Sequence, residues 1–274
     1  MIRIFDKSTI NKFIVKYLSK AKRGFISKVP IWQIVNAILY KFKSGVQWAL
    51  LPVKSLITKG KLKYGAIYHH FRKWTLDGSW QRAWQALLKQ YRHLLDLSIA
   101  LFDGTHTIAK RGGGKVSYQS RKRNKTTNTL WLVDRQGMVV SFVPPLSGKH
   151  NDIFAIEKHL EIIVAQLNKS AISVDGLFLN ADAGFDSKAF RAACNRFGII
   201  PNVPRNVRRT KHLTDDDTYF DDQMYEERFI IERSNAWMDF NRTFLIRFDT
   251  SIESWITWHY IFSIVQWTRF ITKV

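Results

Sequence analysis

Residues 98–104 read Ser-Ile-Ala-Leu-Phe-Asp-Gly, and this stretch decides the fold. The run from Ser98 to Phe102 has the length and unbroken apolar character of a central strand buried on both faces, and it ends on a carboxylate, Asp103. The same pattern returns at 177–184, Leu-Phe-Leu-Asn-Ala-Asp-Ala-Gly, where a second apolar run ends on Asp182. One Asp after one strand needs no function, because Asp and Gly commonly punctuate strands. Two matching cases carry more. If these strands are parallel neighbours, both carboxylates emerge at one edge of the sheet, where ligands of open sheets gather.

The flanking sequence builds a domain around these strands. Residues 128–133 and 138–143 flank the turn Asp134-Arg135-Gln136-Gly137 and read as a hairpin. A helix is expected at about 153–167, a short one at 188–197 ended by Gly198, a strand near 199–203, and a longer helix at about 225–240. In that last helix Tyr225, Arg228, Glu232, Asn235 and Asp239 recur at steps of three and four and form one polar face. Glu232 thereby supplies a third oxygen ligand, with Arg228 one turn earlier to neutralise it. Three hard oxygen ligands, with no Cys and no required His, suit Mg²⁺ or Mn²⁺ and not Zn²⁺. Two such ions about 4 Å apart serve phosphoryl transfer. Asn151 or Asp152 is read as the cap of the helix that follows, in preference to a role for His150-Asn151-Asp152 as a further ligand or proton acceptor.

Residues 1–95 read as all-α and residues 96–274 as mixed α/β. Ser8 caps a stripe of Ile10, Phe13, Ile14, Tyr17 and Leu18, and Pro30 opens a second helix that Gly45 ends. A third helix spans about 64–74, stopped by Asp77-Gly78, and Ser79 caps a fourth. Two uses of these helices stay open: a helix-turn-helix, or a packing and dimerisation domain. In the first use the 64–74 helix, with Lys61, Lys63, His70, Arg72 and Lys73 in or beside it, enters a DNA groove. Its Ile67, Phe71 and Trp74 then pack on the helix opened by Pro30.

Charge narrows the partner. Lys and Arg number 43 against 22 Asp and Glu, a formal charge of +21. Such an excess repels itself in the folded state, and a polyanion is its simplest reason. Anionic lipid is the rival, but no lipidation motif and no strongly amphipathic basic terminal helix is present. Between 107 and 125 stand Lys110, Arg111, Lys115, Arg121, Lys122, Arg123 and Lys125 with no acidic residue, longer than a plain strand connection requires. Gly112 to Gly114 there permit close approach to phosphate. Arg205, Arg208 and Arg209, with Lys211, form a second basic cluster, and an acidic loop at 215–222 follows it. The lone Cys194 gives no disulfide and no thiolate zinc site. The first residues lack the apolar core of a secretion signal, and 254–271 carries His259, Gln266 and Arg269, which suits a buried helix better than a membrane span. A cytoplasmic, nucleoid-associated bacterial protein is the expectation.

The strings DGTHTIAKRGGGKVSYQSRKRNKTTN, LSGKHNDIF, NADAGFDS and YEERFIIERSNAW, with GVQWALLP near the start, together resemble the DDE transposases of bacterial insertion sequences, above all insertion-sequence family five. The resemblance covers nearly the whole chain, and the separations of Asp103, Asp182 and Glu232 fit a compact nuclease. It implies a ribonuclease H-like catalytic domain with a five-stranded mixed sheet, two divalent ions per site, and cleavage of transposon ends followed by strand transfer. It implies Asp103, Asp182 and Glu232 as the triad, Tyr225 and Arg228 as members of a tyrosine-arginine-glutamate pattern, and double-stranded DNA bound by a homodimer or higher homo-oligomer. Many relatives carry a lysine seven residues after the glutamate, where this chain has Asp239. Two rival functions are a stand-alone ribonuclease H-like nuclease and a domesticated, non-catalytic DNA-binding protein. The basic N-terminal region and long loops weigh against the first, the intact triad against the second.

Overall fold

The computed structural model describes residues 3–20, 27–206 and 219–273. In chain order its elements begin with helices α1 (Lys7–Phe13), α2 (Ile31–Ser44), α3 (Val53–Leu56), α4 (Tyr64–Leu76) and α5 (Ser79–Tyr91). Strands β1 (Ala100–Ala109), β2 (Ser117–Gln119), β3 (Asn124–Asp134), β4 (Val139–Phe142) and β5 (Leu146–Ser147) follow. Then come α6 (Ile156–Lys169), β6 (Phe178–Ala181), α7 (Lys188–Arg196) and β7 (Ile200–Asn202). The chain closes with α8 (Asp222–Glu226), α9 (Phe229–Asp239), α10 (Arg242–Leu245), β8 (Ile246–Arg247) and α11 (Ile252–Ile271).

These elements form two compact units. One comprises residues 1–87, 110–113 and 238–274, the other 88–109 and 114–237. A single division at residue 95 would put the C-terminal residues with the sheet, whereas they pack with the N-terminal helices. The reason is aromatic packing along α11. Its Trp258 ring stacks on Phe71 of α4, centroids 4.5 Å apart, and on Phe42 of α2 at 5.9 Å. Trp255, Trp258, Ile261, Ile264 and Trp267 of α11 are all buried, as a core helix requires. No helix among the described residues is long and apolar enough to cross a membrane.

Local signals set the helix ends of this unit. Pro30 precedes the first residue of α2, and Gly45, at φ 68°, takes the left-handed conformation that ends it. The cap of α1 is Asp6, two residues before the expected Ser8, its carboxylate accepting from Thr9 N at 2.8 Å. Ile67, Phe71 and Trp74 of α4 are buried, and α4 packs on α2, as the hydrophobic spacing implies.

In the second unit β1 pairs antiparallel with β3 and parallel with β6, and β6 pairs parallel with β7. Strands β2, β4 and β5 all pair with β3. The five principal strands therefore run β4-β3-β1-β6-β7, with one antiparallel member beside the central strand, which is the ribonuclease H-like arrangement. Helices α6 and α7 pack on each other, α6 against β4 and α7 against β7, so they cover one face. Phe102 of β1 points to that face, its ring 5.1 Å from Phe185 and 6.4 Å from Phe190 of α7.

Two expectations need correction here. The segment after Asp103 is not all loop: β1 runs on to Ala109 and pairs with β3 through Ile108↔Thr126, while Lys110, Arg111 and Lys115 stand in the connection to β2 and Arg121, Lys122 and Arg123 in the turn before β3. Thr105, Thr107 and Ile108 favour strand, but their polar alternation hid it behind the apolar run. The helix expected at about 225–240 is broken, with α8 ending at Glu226 and α9 starting at Phe229.

Candidate active site

The pairing register locates the first two carboxylates. Ala100, Leu101 and Phe102 lie opposite Leu179, Asn180 and Ala181, and the next residues of the two strands are Asp103 and Asp182. Both stand where parallel pairing stops, at the carboxyl end of β6, where ligands of open sheets gather. Asp182 turns the chain out of β6: its side chain accepts from Gly184 N at 2.8 Å and caps the 3₁₀ turn Ala183–Phe185.

Three tethers bring Glu232 to the same face as Asp103. Side chains alternate along a strand, so Asp103 and Thr105 share a face. The Thr105 hydroxyl donates to Asn235 Oδ1 at 3.0 Å, and Asn235 lies one helical turn beyond Glu232 on α9. Ser234 of α9 donates to Gly137 O at 3.0 Å in the β3–β4 turn. A Cβ at position 137 would come 2.7 Å from Ser234 Oγ, and φ there is +82°, so glycine is required on both counts. The guanidinium of Arg135 grips Glu227 bidentately, at 2.7 and 2.5 Å, beside the break between α8 and α9.

Arg228 stands in that break and binds the acidic residues together. Its Nη2 lies 4.0 Å from Asp182 Oδ2 and its Nη1 3.3 Å from Glu232 Oε1. Its Nε is buried with no hydrogen-bond partner among the described residues. Asp182 and Glu232 are 43% and 65% exposed, open to a ligand from solvent. Asp103 is more enclosed. Burial raises its pKa to about 6, the Gly104 amide and Arg228 pull it down, and the charges of Asp152 and Asp182 push it up. The Tyr225 phenol is raised by burial, lowered by Arg228 and raised by the charges of Asp182, Asp103 and Glu232.

Among the described residues no three His, Cys, Asp or Glu side chains close on one point. The Arg228 guanidinium spans the gap between Asp182 and Glu232 instead. The donor set itself, carboxylate oxygens with a cation lodged among them, has the chemistry that a hard divalent ion takes.

Other sequence-derived candidates fall as follows. Lys110, Arg111, Lys115, Arg121, Lys122, Arg123, Lys125 and Arg205 are all exposed. Arg208, Arg209 and Lys211, with the acidic residues Asp215 to Asp217, lie outside the described residues. Asp221 caps α8, its carboxylate accepting from Met224 N. Gly113 does not face open space: a Cβ there would meet Thr250 O at 2.3 Å, so its glycine serves packing, while a Cβ at Gly112 would meet nothing within 4 Å among the described residues. Arg72 donates to Ser251 and Ser254 at the start of α11, which commits it to the fold.

The capping reading of Asn151 and Asp152 is overturned. Helix α6 starts after Ala155, which sits at φ 50° with no side-chain cap, and His150 stacks on Phe154 with centroids 3.6 Å apart. Asp152 instead accepts from Asn128 Nδ2 at 2.6 Å. A buried amide ladder was also missed. Asn202 donates to Asn180 at 2.8 Å and to Asp221 O at 3.0 Å, and Asn180 donates to Met224 O at 2.7 Å, hanging α8 on β6 and β7. The signal was present: an Asn inside each of two apolar strands needs a buried partner.

Residues 94–254 match the family model described as "Transposase DDE domain", and residues 10–84 match "Putative transposase of IS4/5 family". No curated protein matches the chain. Among solved structures it is similar to "Mos1 transposase paired-end complex with left transposon end", with 12% identity and a TM-score of 0.30 over 88% of this chain and 78% of that one. It is also similar to "Crystal structure of the Mos1 mariner paired end complex with Mn", with 10% identity and a TM-score of 0.29 over 94% and 82%.

Proposed function

Because the chain belongs to the transposase DDE-domain family, we propose that Asp103, Asp182 and Glu232 are the carboxylates with which this DNA transposase cuts and rejoins DNA. The observation that carries the assignment is the register: one carboxylate on each strand directly after the last rung of a parallel pair, with α9 tied to β1 by Thr105 and Asn235. Divalent cations, Mg²⁺ or Mn²⁺ and two per site, when bound there would activate the attacking hydroxyl and offset charge on the leaving oxygen.

The chain's own residues do the rest. Arg228 holds Asp182 and Glu232 close together, and its guanidinium would be available to a DNA phosphate with metal bound. Tyr225 presents its hydroxyl beside the triad. The hairpin cations Lys110, Arg111, Lys115, Arg121, Lys122, Arg123 and Lys125, with Arg205, Arg208 and Arg209, hold phosphates and fix the strand in register without reading sequence. The partner is double-stranded DNA, the element's ends and its target, and a homodimer or higher oligomer brings two ends together.

The test is end cleavage by Asp103→Asn, Asp182→Asn and Glu232→Gln in Mg²⁺ and Mn²⁺. Each is expected to lose strand cleavage while keeping end binding within a few-fold, because phosphate contacts lie elsewhere. Cleavage retained by any one variant removes that residue from the triad.

A further inference from the structure

We propose that Tyr118 is a nucleobase-stacking residue, its ring packing on an unpaired base of the DNA whose phosphates the neighbouring cations hold. The inference rests on the reading of the hairpin cations above and adds a base contact to it.

The pairing register puts Tyr118 on the face of the sheet that carries Asp103. It lies opposite Lys125 in the β2–β3 pair. Side chains alternate along a strand, so Lys125 shares a face with Thr127, Thr129 and Trp131, which lie opposite Thr107, Thr105 and Asp103. Along β3 the rung of Tyr118 is six residues from the rung of Asp103, roughly 20 Å at about 3.4 Å per residue. That is too far to touch a reacting phosphate, and it suits a contact to the DNA on either side of one.

The strand beneath the ring is pinned from behind. On the face away from Tyr118, Ser117 Oγ accepts from Ser147 Oγ at 2.7 Å and from Lys149 N at 2.6 Å. A Cβ at Gly148 would lie 2.8 Å from Ser117 O and closer still to Thr126 Oγ1, so this segment lies directly against β2 and β3. The turn that follows is closed by Arg123 N on Ser120 O at 3.1 Å and Arg121 N on Gln119 Oε1 at 2.6 Å. A ring on a fixed backbone loses little freedom when a ligand covers it, which favours binding there.

The ring is 57% exposed, and its setting is cationic. Lys115, Arg121, Lys122, Arg123 and Lys125 flank it in the chain, with no acidic residue from 107 to 125. Thr127 Oγ1 donates to Lys115 O at 3.1 Å, which brings Lys115 to the same face. One exposed aromatic is ordinary on a protein surface. An aromatic set among cations on a fixed strand is the combination that binds unpaired nucleic acid, the ring taking a base and the cations its phosphates. Strand cleavage leaves ends that can supply such a base. A second copy of this chain fits the patch less well, since at +21 it brings the same sign of charge.

The test uses the full chain and two DNAs with equal numbers of phosphates, one fully paired and one with an unpaired tail. Affinity is read by fluorescence anisotropy over a range of salt. Tyr118→Ala and Tyr118→Leu are each expected to weaken binding to the tailed DNA about tenfold, near the low end for one stacked base, and to leave the paired DNA within about twofold. Tyr118→Phe keeps the ring and is expected to keep the affinity. The salt slope should stay the same in all three, because no charge is removed. Wild-type affinity of Tyr118→Ala for the tailed DNA, or an equal loss on both DNAs, overturns the stacking role. A smaller oligomer in Tyr118→Ala without DNA overturns it too, and gives the ring to a subunit contact. Changing Arg121, Lys122 and Arg123 together to Ala separates the inference from its premise. A flattened salt slope there, with no effect of Tyr118→Ala, removes the stacking alone. An unchanged slope takes the hairpin off the DNA, and the stacking with it.

Discussion

The Thr105 hydroxyl donates to the Asn235 amide oxygen at 3.0 Å, joining β1 to α9 two residues beyond Asp103 and one helical turn beyond Glu232. With the Ser234 and Arg135 tethers, this hydrogen bond holds α9 to the strand that carries Asp103. Thr105→Val keeps the β-branched shape and removes the donor, at a cost of about 1 kcal/mol in stability. Strand cleavage is expected to fall by about 10- to 100-fold, since roughly 1 Å of misplacement has that effect. The check is single-turnover cleavage against urea unfolding. Undiminished cleavage would mean that Ser234 and Arg135 place Glu232 unaided.

Asp103 also makes a prediction about pH. Its folded pKa, about 6, is above the ordinary 3.8, so the folded protein holds that proton more tightly than the unfolded chain. Stability from this group is therefore full below about pH 4 and is lost as pH rises through about 6. Asp134, raised to about 6 by its own burial, acts in the same direction. Without divalent ions Asp103→Asn should unfold at a higher temperature than wild type at pH 7, and the gap should close toward pH 4. Adding Mn²⁺ at pH 7 should raise the wild-type midpoint alone. Equal midpoints at pH 7 would show that Arg228 already compensates the buried charge.

The fold was legible in the sequence because its strongest signals are local. Apolar runs ending at Asp103 and Asp182, Gly45 after α2 and the turn before Met138 each act within a few residues. Features set by distant partners were hidden. The tail of β1 is polar and only half-buried, so no apolar run marked it. Asp152 looked like a cap because Asn-Asp before a helix usually is one, and only the bend at Ala155 directs it to Asn128 instead. The break at Glu227 and Arg228 follows from the grip of Arg135, a residue on another turn.

The basic hairpin carries a trade between stability and binding. Lys115 and Arg123 adopt φ 62° and 48°, a region that costs a residue with a side chain about 1 kcal/mol or more. Arg123→Gly should therefore raise the unfolding midpoint while weakening DNA binding. Arg121, Lys122 and Arg123 changed together to Ala should flatten the slope of log affinity against log salt by up to about 3, one phosphate each at ~0.9. Fluorescence anisotropy on end-containing and scrambled duplexes reads both effects, which should be alike on the two sequences. An unchanged slope would make these cations mere solvated surface.

End recognition is expected from the N-terminal helices, because the catalytic site meets whatever sequence lies at the junction while groove reading needs a helix with free side chains. The aromatic packing of α11 decides how to test this. Residues 1–95 alone lack Trp258, whose ring stacks on Phe71 and Phe42 and whose Nε1 donates to Asp249 at 3.1 Å. That fragment is expected to lack a cooperative melt, and Trp258→Ala in the full chain to cost about 3–5 kcal/mol. Recognition is therefore tested by substitutions in the full chain. Lys61 and Lys63 are exposed beside α4, with Tyr64 and Tyr68 46% and 41% exposed along it. Arg72 is engaged with Ser251 and Ser254. Lys61→Ala with Lys63→Ala and Tyr68→Ala should narrow the preference for the element's own end over scrambled DNA and leave unfolding within about 0.5 kcal/mol. Arg72→Ala should do the reverse, lowering stability with the preference intact. If the Lys61, Lys63 and Tyr68 changes leave end preference untouched, α4 is a packing helix and sequence is read elsewhere.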